Sequence, residues 1–175
     1  DGERLPLGSE ALAAPGLARL AFVHGPAGLL AVIVEIVVRL LPPPQHAQVR
    51  MAAFDDVETG GEAVAGIIAA GILPAGLEMM DRGCIDAVND YLSDVYPSCG
   101  AVILCEADGT EAEVASELER VRGLLESAGA GEIRVSGSEA ERLRLWSGRK
   151  GAFPAVGRLA PYYYCMDGTI PRRHL

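Results

Sequence analysis

The sequence is poor in aromatic residues and has neither paired cysteines nor clustered histidines. Only 5% of its 175 residues are Phe, Trp or Tyr, although 50% are hydrophobic, so the core must consist mainly of aliphatic side chains. The four cysteines and three histidines are scattered, which argues against a zinc site and a disulfide framework. Reduced thiols are typical of cytoplasmic proteins. No spacing of Ser, His, Cys or paired carboxylates predicts catalytic residues or metal ligands.

Basic residues are also in the minority. The chain has 15 Lys and Arg against 24 Asp and Glu, a net charge of −9, which argues against a nucleic-acid partner. The apolar residues 27–41 are interrupted by Glu35 and Arg39. They are also fewer than the roughly 20 that a spanning helix needs, so no membrane span is predicted. The chain starts at Asp1 without a signal pattern, and we expect a fragment of a longer protein.

The first 44 residues differ from the rest. After a loop rich in Gly and Pro, residues 20–23 and 31–40 are β-branched and aliphatic, with a Gly-Pro pair between them. This pattern predicts two strands joined by a turn. Three prolines at 42–44 form a stiff boundary, because proline fixes the backbone and ends regular structure.

From residue 45 onward, predicted strands alternate with predicted helices. Strands are predicted at residues 49–54, 75–80, 101–106, 133–135 and 162–166. Helices are predicted near residues 56–70, 82–92 and 111–128, with a further one after Ser138. Their caps are Asp56, Asp81 and two capping boxes, Thr110 with Glu113 and Ser138 with Glu141. The last helix is expected to bury Leu143 and Trp146 and to leave Arg149 open to a cleft.

This alternation indicates an α+β protein. Our first choice is a ferredoxin-like sandwich with helices on one face of an antiparallel sheet, preceded by a short β segment. A parallel doubly wound sheet is the second choice, because alternation alone does not fix strand direction.

The most specific pattern lies near the C-terminus. Residues 146–154 read WSGRKGAFP, and residues 167–172 read DGTIPR. Together they resemble the C-terminal substrate (cap) domain of the flavin-linked 2-hydroxy-acid oxidoreductases, the family of glycolate oxidases and D-lactate dehydrogenases. Residues 22–42 resemble the last strands of the same family's flavin domain. The family's His-containing metal motif comes further downstream than Leu175.

The resemblance implies that the chain contains parts of two domains. Residues 1–44 correspond to the C-terminal end of an FAD-binding domain, and residues 45–175 to part of a substrate domain. The complete enzyme would transfer hydride from a small 2-hydroxy acid to FAD, and an electron-accepting subunit would reoxidise the flavin. A homo-oligomer is compatible with this arrangement. The chain alone is expected to be inactive and free of FAD, because most of the flavin domain lies outside it.

The resemblance also names site residues. From residue type alone, Arg149 is a cation favoured at a helix C-terminus, whereas in the family the matching Arg contacts the substrate carboxylate. Lys150 and Arg172 are weaker candidates that add positive charge near this anion or simply face solvent. Gly25 and Gly28 match glycines that lie against the flavin, where the lack of a side chain permits close backbone approach.

A second function class stays open at this point. A ferredoxin-like sheet hosts many unrelated functions, so fold alone does not decide the matter. The alternative is a stand-alone small-acid-binding or oligomerisation module without catalytic activity.

Overall fold

The computed structural model describes residues 2–8, 20, 23 and 28–168 and divides the chain into two compact units, Asp1–Pro42 and Pro43–Leu175. In the first unit, residues 31–42 have no regular secondary structure, and Leu20 and Val23 have helical backbone. The prediction of strands here is therefore wrong, except that residues 21 and 22 lie outside the described part. A strand needs a neighbouring strand to be stable, and the described residues of this unit provide none.

The second unit contains four strands and five helices within its described residues. The strands are β1 (His46–Phe54), β2 (Gly76–Asp81), β3 (Ala101–Gly109) and β4 (Glu132–Val135). The helices are α1 (Val57–Ala69), α2 (Arg82–Leu92), α3 (Glu111–Ser127), α4 (Glu139–Lys150) and α5 (Ala152–Val156).

The strands form one antiparallel sheet in the order β2-β3-β1-β4. The α+β class is confirmed, and the parallel doubly wound alternative is wrong. Four predicted strands are confirmed with small shifts at their ends. The strand predicted at residues 162–166 is wrong, because this segment is exposed and has no strand backbone. The short helix α5 was not predicted.

Helices cover both faces of the sheet, so the prediction of helices on one face is wrong. On one face, Ala52 and Ile103 share a core cluster with side chains of α1 and α3. On the other face, Met51 and Leu104 share a second cluster with side chains of α2 and α4. The central strands β1 and β3 are buried along most of their length. Continuous burial of this kind is typical of strands covered on both sides.

The predicted helix caps are confirmed, except that the second of the two capping boxes is only half formed. The Asp56 carboxylate accepts a hydrogen bond from the Thr59 N–H at 2.7 Å, and the Asp81 carboxylate accepts one from the Cys84 N–H at 2.9 Å. Thr110 and the side chain three residues later form the reciprocal capping box at the start of α3. At α4, the Ser138 hydroxyl accepts from the Glu141 N–H at 3.2 Å, but the Glu141 carboxylate accepts from the Gly137 N–H instead of the Ser138 N–H that the predicted capping box requires. These bonds satisfy backbone donors that a helix leaves unpaired at its first turn.

Candidate functional site

The end of α4 is held in place by a tyrosine from the loop between α2 and β3. Tyr96 is 4% exposed, and its hydroxyl donates a hydrogen bond to the Leu145 carbonyl oxygen. A Cβ atom at Gly148 would overlap the Tyr96 ring and hydroxyl. Glycine at this position therefore lets the helix approach the ring. Burial raises the pKa of Tyr96, so the hydroxyl remains a donor at neutral pH.

The loop that carries Tyr96 is itself fixed by Asn89 near the end of α2. The Asn89 side-chain oxygen accepts hydrogen bonds from the Val95 and Tyr96 N–H groups, both at 2.9 Å. Its amide nitrogen donates to the Tyr96 carbonyl oxygen at 2.8 Å. These three bonds stabilise a turn in which Ser93 and Asp94 have positive φ angles of 63° and 53°. The loop conformation thus determines where α4 packs.

The buried side of α4 differs from the prediction. Leu145 is 6% exposed, whereas Leu143 is 50% exposed, so the prediction that Leu143 is buried is wrong. Trp146 is partly buried and lies against Gly76, whose missing Cβ would be 3.0 Å from two indole carbons. The helix is rotated relative to the prediction, because the contact between Gly148 and Tyr96 determines which side of α4 faces the sheet.

Glu106 links α4 to strand β3. One of its carboxylate oxygens accepts hydrogen bonds from the Trp146 indole N–H and, at 2.6 Å, from the Arg142 guanidinium. Arg142 also pairs with Glu139 at 2.7 Å, and these two carboxylates raise its pKa. The Glu106 carboxylate is thus partly buried and occupied by two donors. This arrangement fits a structural role better than a catalytic one.

Arg149 lies beside an open cleft of about 390 Å³. The lining residues come from β2 and the starts of α2 and α5, with Arg149 from the end of α4: Glu78, Met79, Met80, Asp81, Cys84, Arg149 and Ala152. The Arg149 Nε donates to a Glu78 carboxylate oxygen at 2.9 Å, and the two side chains are 35% and 38% exposed. Among the described residues, none accepts a hydrogen bond from the two terminal nitrogens of Arg149. The terminal nitrogens of Arg149 are therefore available to donate hydrogen bonds to an anion, beside the carboxylates of Glu78 and Asp81 that also line the cleft.

Cys84 is the other reactive side chain in the cleft. Burial raises the pKa of its thiol, Asp81 adds to the rise, and Arg149 opposes it. A thiol with a raised pKa is mostly protonated at neutral pH, and the thiolate is the nucleophilic form. Cys84 therefore contributes shape rather than chemistry to the cleft.

The other predicted site residues are not brought together here. Lys150 is exposed at the end of α4 and does not line the cleft. Arg172 and Gly25 lie outside the described residues. Gly28 belongs to the first unit, has a φ of +83° and has no atom within 4 Å of the position a Cβ would occupy. The substrate and cofactor roles of these residues stay predictions.

Glu78, which pairs with Arg149, and Tyr96, which contacts the helix that carries it, were not predicted from the sequence. Glu78 lies on β2 between Gly76 and Met80, on the face that packs against α2 and α4. A carboxylate in the middle of that alternating face is the signal that could have revealed it. Tyr96 lies in a loop, and no periodic pattern identifies its partner on α4.

Within residues 2–8, 20, 23 and 28–168, no three His, Cys, Asp or Glu side chains form a group that could hold a metal ion. None of the helices described there is long and apolar enough to cross a membrane.

Comparison with known families decides what kind of domain carries this cleft. Residues 43–175 match the family model described as FAD linked oxidases, C-terminal domain. The chain belongs to this family. The matched range includes the whole antiparallel sheet and Arg149.

The curated relatives include glycolate oxidase subunits and a D-lactate dehydrogenase. The chain is 54% identical to Glycolate oxidase subunit GlcD of Escherichia coli (strain K12), covering 100% of this chain and 35% of that protein. It is 30% identical to the subunit of the same name from Bacillus subtilis (strain 168), over 86% of this chain and 32% of the relative. It is 26% identical to D-lactate dehydrogenase [cytochrome], mitochondrial, of Arabidopsis thaliana, over 87% and 27%. The chain thus spans about a third of the length of these relatives.

A solved structure supports the fold. Alkyldihydroxyacetonephosphate synthase matches with a TM-score of 0.59 and 14% identity, covering 82% of this chain and 30% of that one. At this identity the likeness concerns the fold alone.

Proposed function

We propose that this chain is the substrate-binding part of an FAD-dependent 2-hydroxy-acid oxidoreductase of the glycolate oxidase or D-lactate dehydrogenase kind. The observation that carries the proposal is Arg149 in an open cleft, with its terminal nitrogens free of described acceptors. Family membership and 54% identity to a glycolate oxidase subunit support it. A 2-hydroxy acid carries the carboxylate that a guanidinium grips with two parallel hydrogen bonds.

In this proposal Arg149 fixes the substrate rather than transforming it. Its hydrogen bonds to the carboxylate hold the hydroxyl-bearing carbon in one orientation, which removes much of the entropic cost of reaction. FAD, when bound in the complete enzyme, supplies the hydride acceptor. Lys150 and Arg172 add positive charge that attracts the anionic substrate. All three residues are substrate-binding, and no residue of this chain is assigned a catalytic role.

The domain assignment follows from the same proposal. Residues 1–44 are the end of the FAD-binding domain, and residues 45–175 are part of the substrate domain. Gly25 and Gly28 would let the backbone approach the flavin, and the positive φ and open surroundings of Gly28 suit such an approach. The neighbouring Ala27, Leu29 and Leu30 carry no side-chain hydrogen-bonding groups. This turn alone therefore does not hold FAD, and the isolated chain is proposed to be flavin-free and inactive.

We further propose that the sheet belongs to the ferredoxin-like class. The strand order β2-β3-β1-β4 with antiparallel neighbours supports this. Helices α1 and α3 connect the strands as the two helices of that motif do, and α2 is an addition between β2 and β3.

We also propose a partner and a cellular location for the complete enzyme. An electron-accepting subunit would reoxidise the flavin, and the word subunit in the name of the Escherichia coli relative is consistent with a multi-chain enzyme. All four cysteines, each within the described residues, are free thiols. Free thiols are consistent with a reducing compartment, and we propose the cytoplasm.

The test is turnover by the complete enzyme. Loaded with FAD and given a dye as electron acceptor, it should oxidise a small 2-hydroxy acid such as glycolate or D-lactate. The isolated chain, purified with excess FAD, should keep no yellow chromophore. A flavin-loaded complete protein that binds these acids but never oxidises them would contradict the proposal and favour a non-catalytic binding module.

A further inference from the structure

Glu78 is the hydrogen-bond partner of the Arg149 side chain. It lies in the middle of β2, where it is paired in register with Leu104 of the central strand β3. Leu104 is fully buried, so the backbone beneath Glu78 is anchored in the sheet. The backbone of Glu78 is thus fixed by the sheet, and its carboxylate accepts from a long, flexible partner.

The contact engages only one edge of the guanidinium. The Nε–H of Arg149 donates to the Glu78 oxygen at 2.9 Å, whereas no described residue accepts from the terminal nitrogens. A guanidinium is planar and has five N–H donors in a fixed fork. When Nε is held, the orientation of the opposite edge is set, and that edge can donate two parallel hydrogen bonds to a second carboxylate.

We propose that Glu78 is a positioning residue, which holds Arg149 ready to receive the carboxylate of the 2-hydroxy acid. This inference rests on the proposed function of Arg149. In the competing role, Glu78 would occupy the guanidinium and the substrate would have to displace it. The positioning role also predicts the opposite of the simplest charge argument, in which removing a negative charge beside an anion site strengthens anion binding.

The direction in which Glu78→Ala changes KM distinguishes these two roles. In the complete enzyme, Glu78→Ala should raise the KM for the hydroxy acid by about tenfold, because a free Arg149 side chain no longer presents a fixed edge. Glu78→Gln keeps an oxygen that accepts from Nε, so its KM should lie between the Ala variant and the wild type. Glu132→Ala is the matched control, because Glu132 lies on the opposite edge strand and pairs at 2.8 Å with Arg134. It should leave KM unchanged.

A double-variant experiment links the effect to Arg149. In an Arg149→Met background, Glu78→Ala should cause no further rise in KM, because there is no guanidinium left to orient. A lower or unchanged KM for Glu78→Ala, with Arg149→Met still impaired, would overturn the positioning role alone. If Arg149→Met leaves KM unchanged, the proposed substrate site itself is wrong. Should the Ala variant fail to fold, a KM for Glu78→Gln above the wild-type value supports positioning, and a KM at or below it overturns positioning.

Discussion

The two faces of the sheet are built by different means. On the face covered by α1 and α3, aliphatic side chains such as Ile67, Val121 and Leu125 pack at helical spacing, and capped helix starts set where the helices begin. On the face covered by α2 and α4, apolar packing is joined by hydrogen bonds between distant residues, including Tyr96 to the Leu145 carbonyl and Glu78 to Arg149.

The difference coincides with the location of the candidate site. The side chains that contact Arg149 and the end of α4 lie on the α2 and α4 face, whereas Met79 is the one described lining residue of the cleft that belongs to the other face. Polar contacts between distant residues fix side chains more specifically than apolar packing does. The first face is therefore expected to serve stability, and the second to combine stability with precise orientation.

The largest expected effect on stability is a cavity in the first face. Leu125 is 0% exposed, and Leu125→Ala should lower the free energy of unfolding by about 2–5 kcal/mol. Leu143→Ala on α4 is the control, because its side chain is 50% exposed and its loss should cost no more than about 0.5 kcal/mol. Urea denaturation of the chain measures both. Equal losses would show that Leu143 is buried as the helical pattern alone suggested.

The same substitution should have opposite signs on the two faces. Gly148→Ala places a methyl group against Tyr96 and should destabilise the chain by about 1–3 kcal/mol through overpacking. Gly123→Ala in the middle of α3 meets no atom within 4 Å and should stabilise it by about 0.5–1 kcal/mol, because Ala favours helix more than Gly. Thermal unfolding distinguishes them. A neutral Gly148→Ala would contradict the close contact with Tyr96.

The smallest expected effect concerns the capping box of α3. Hydrogen bonds from the Thr110 hydroxyl and backbone N–H lower the pKa of Glu113. This group therefore stabilises the fold above its unfolded pKa of about 4.3, and the stabilisation is lost as pH falls through the lower folded pKa. Glu113→Gln should be less stable than wild type at neutral pH and lose less stability between about pH 7 and about pH 3. Unfolding midpoints across this range check it, with Glu111→Gln as control. An unchanged pH dependence for Glu113→Gln would contradict the capping contribution.

Much of the fold could be predicted because it depends on local patterns. The caps at Asp56, Asp81 and Thr110 and the period of buried residues in α3 are short-range features. The two-faced arrangement was missed, although the continuous apolar run from Ala101 to Cys105 indicated a strand covered on both sides. The described residues of the ranges 20–23 and 31–40 do not form the predicted strands, because a β-favouring composition does not by itself supply a neighbouring strand to pair with.

The site was less predictable than the fold. The position of Arg149 near a helix end followed from the pattern of α4, but its partner Glu78 is 71 residues away. Tyr96 contacts α4 from a loop that Asn89 of α2 holds by hydrogen bonds. No short-range sequence pattern links α2, this loop and α4. Leu143 was expected to be buried and is half-exposed for the same reason, since the rotation of the helix depends on a tertiary contact.

The central claim is that Arg149 binds the carboxylate of a 2-hydroxy acid. The most direct measurement is the steady-state kinetics of the complete enzyme carrying Arg149→Met. Losing a charge-assisted contact of about 1.5–3 kcal/mol should lower kcat/KM by roughly ten- to more than a hundredfold. Arg149→Lys should restore only part of it, because an ammonium lacks the two-pronged geometry. Flavin content and Tm should stay close to those of the wild type. Unchanged kinetics for Arg149→Met would contradict the account and leave Arg149 as a helix-end cation paired with Glu78.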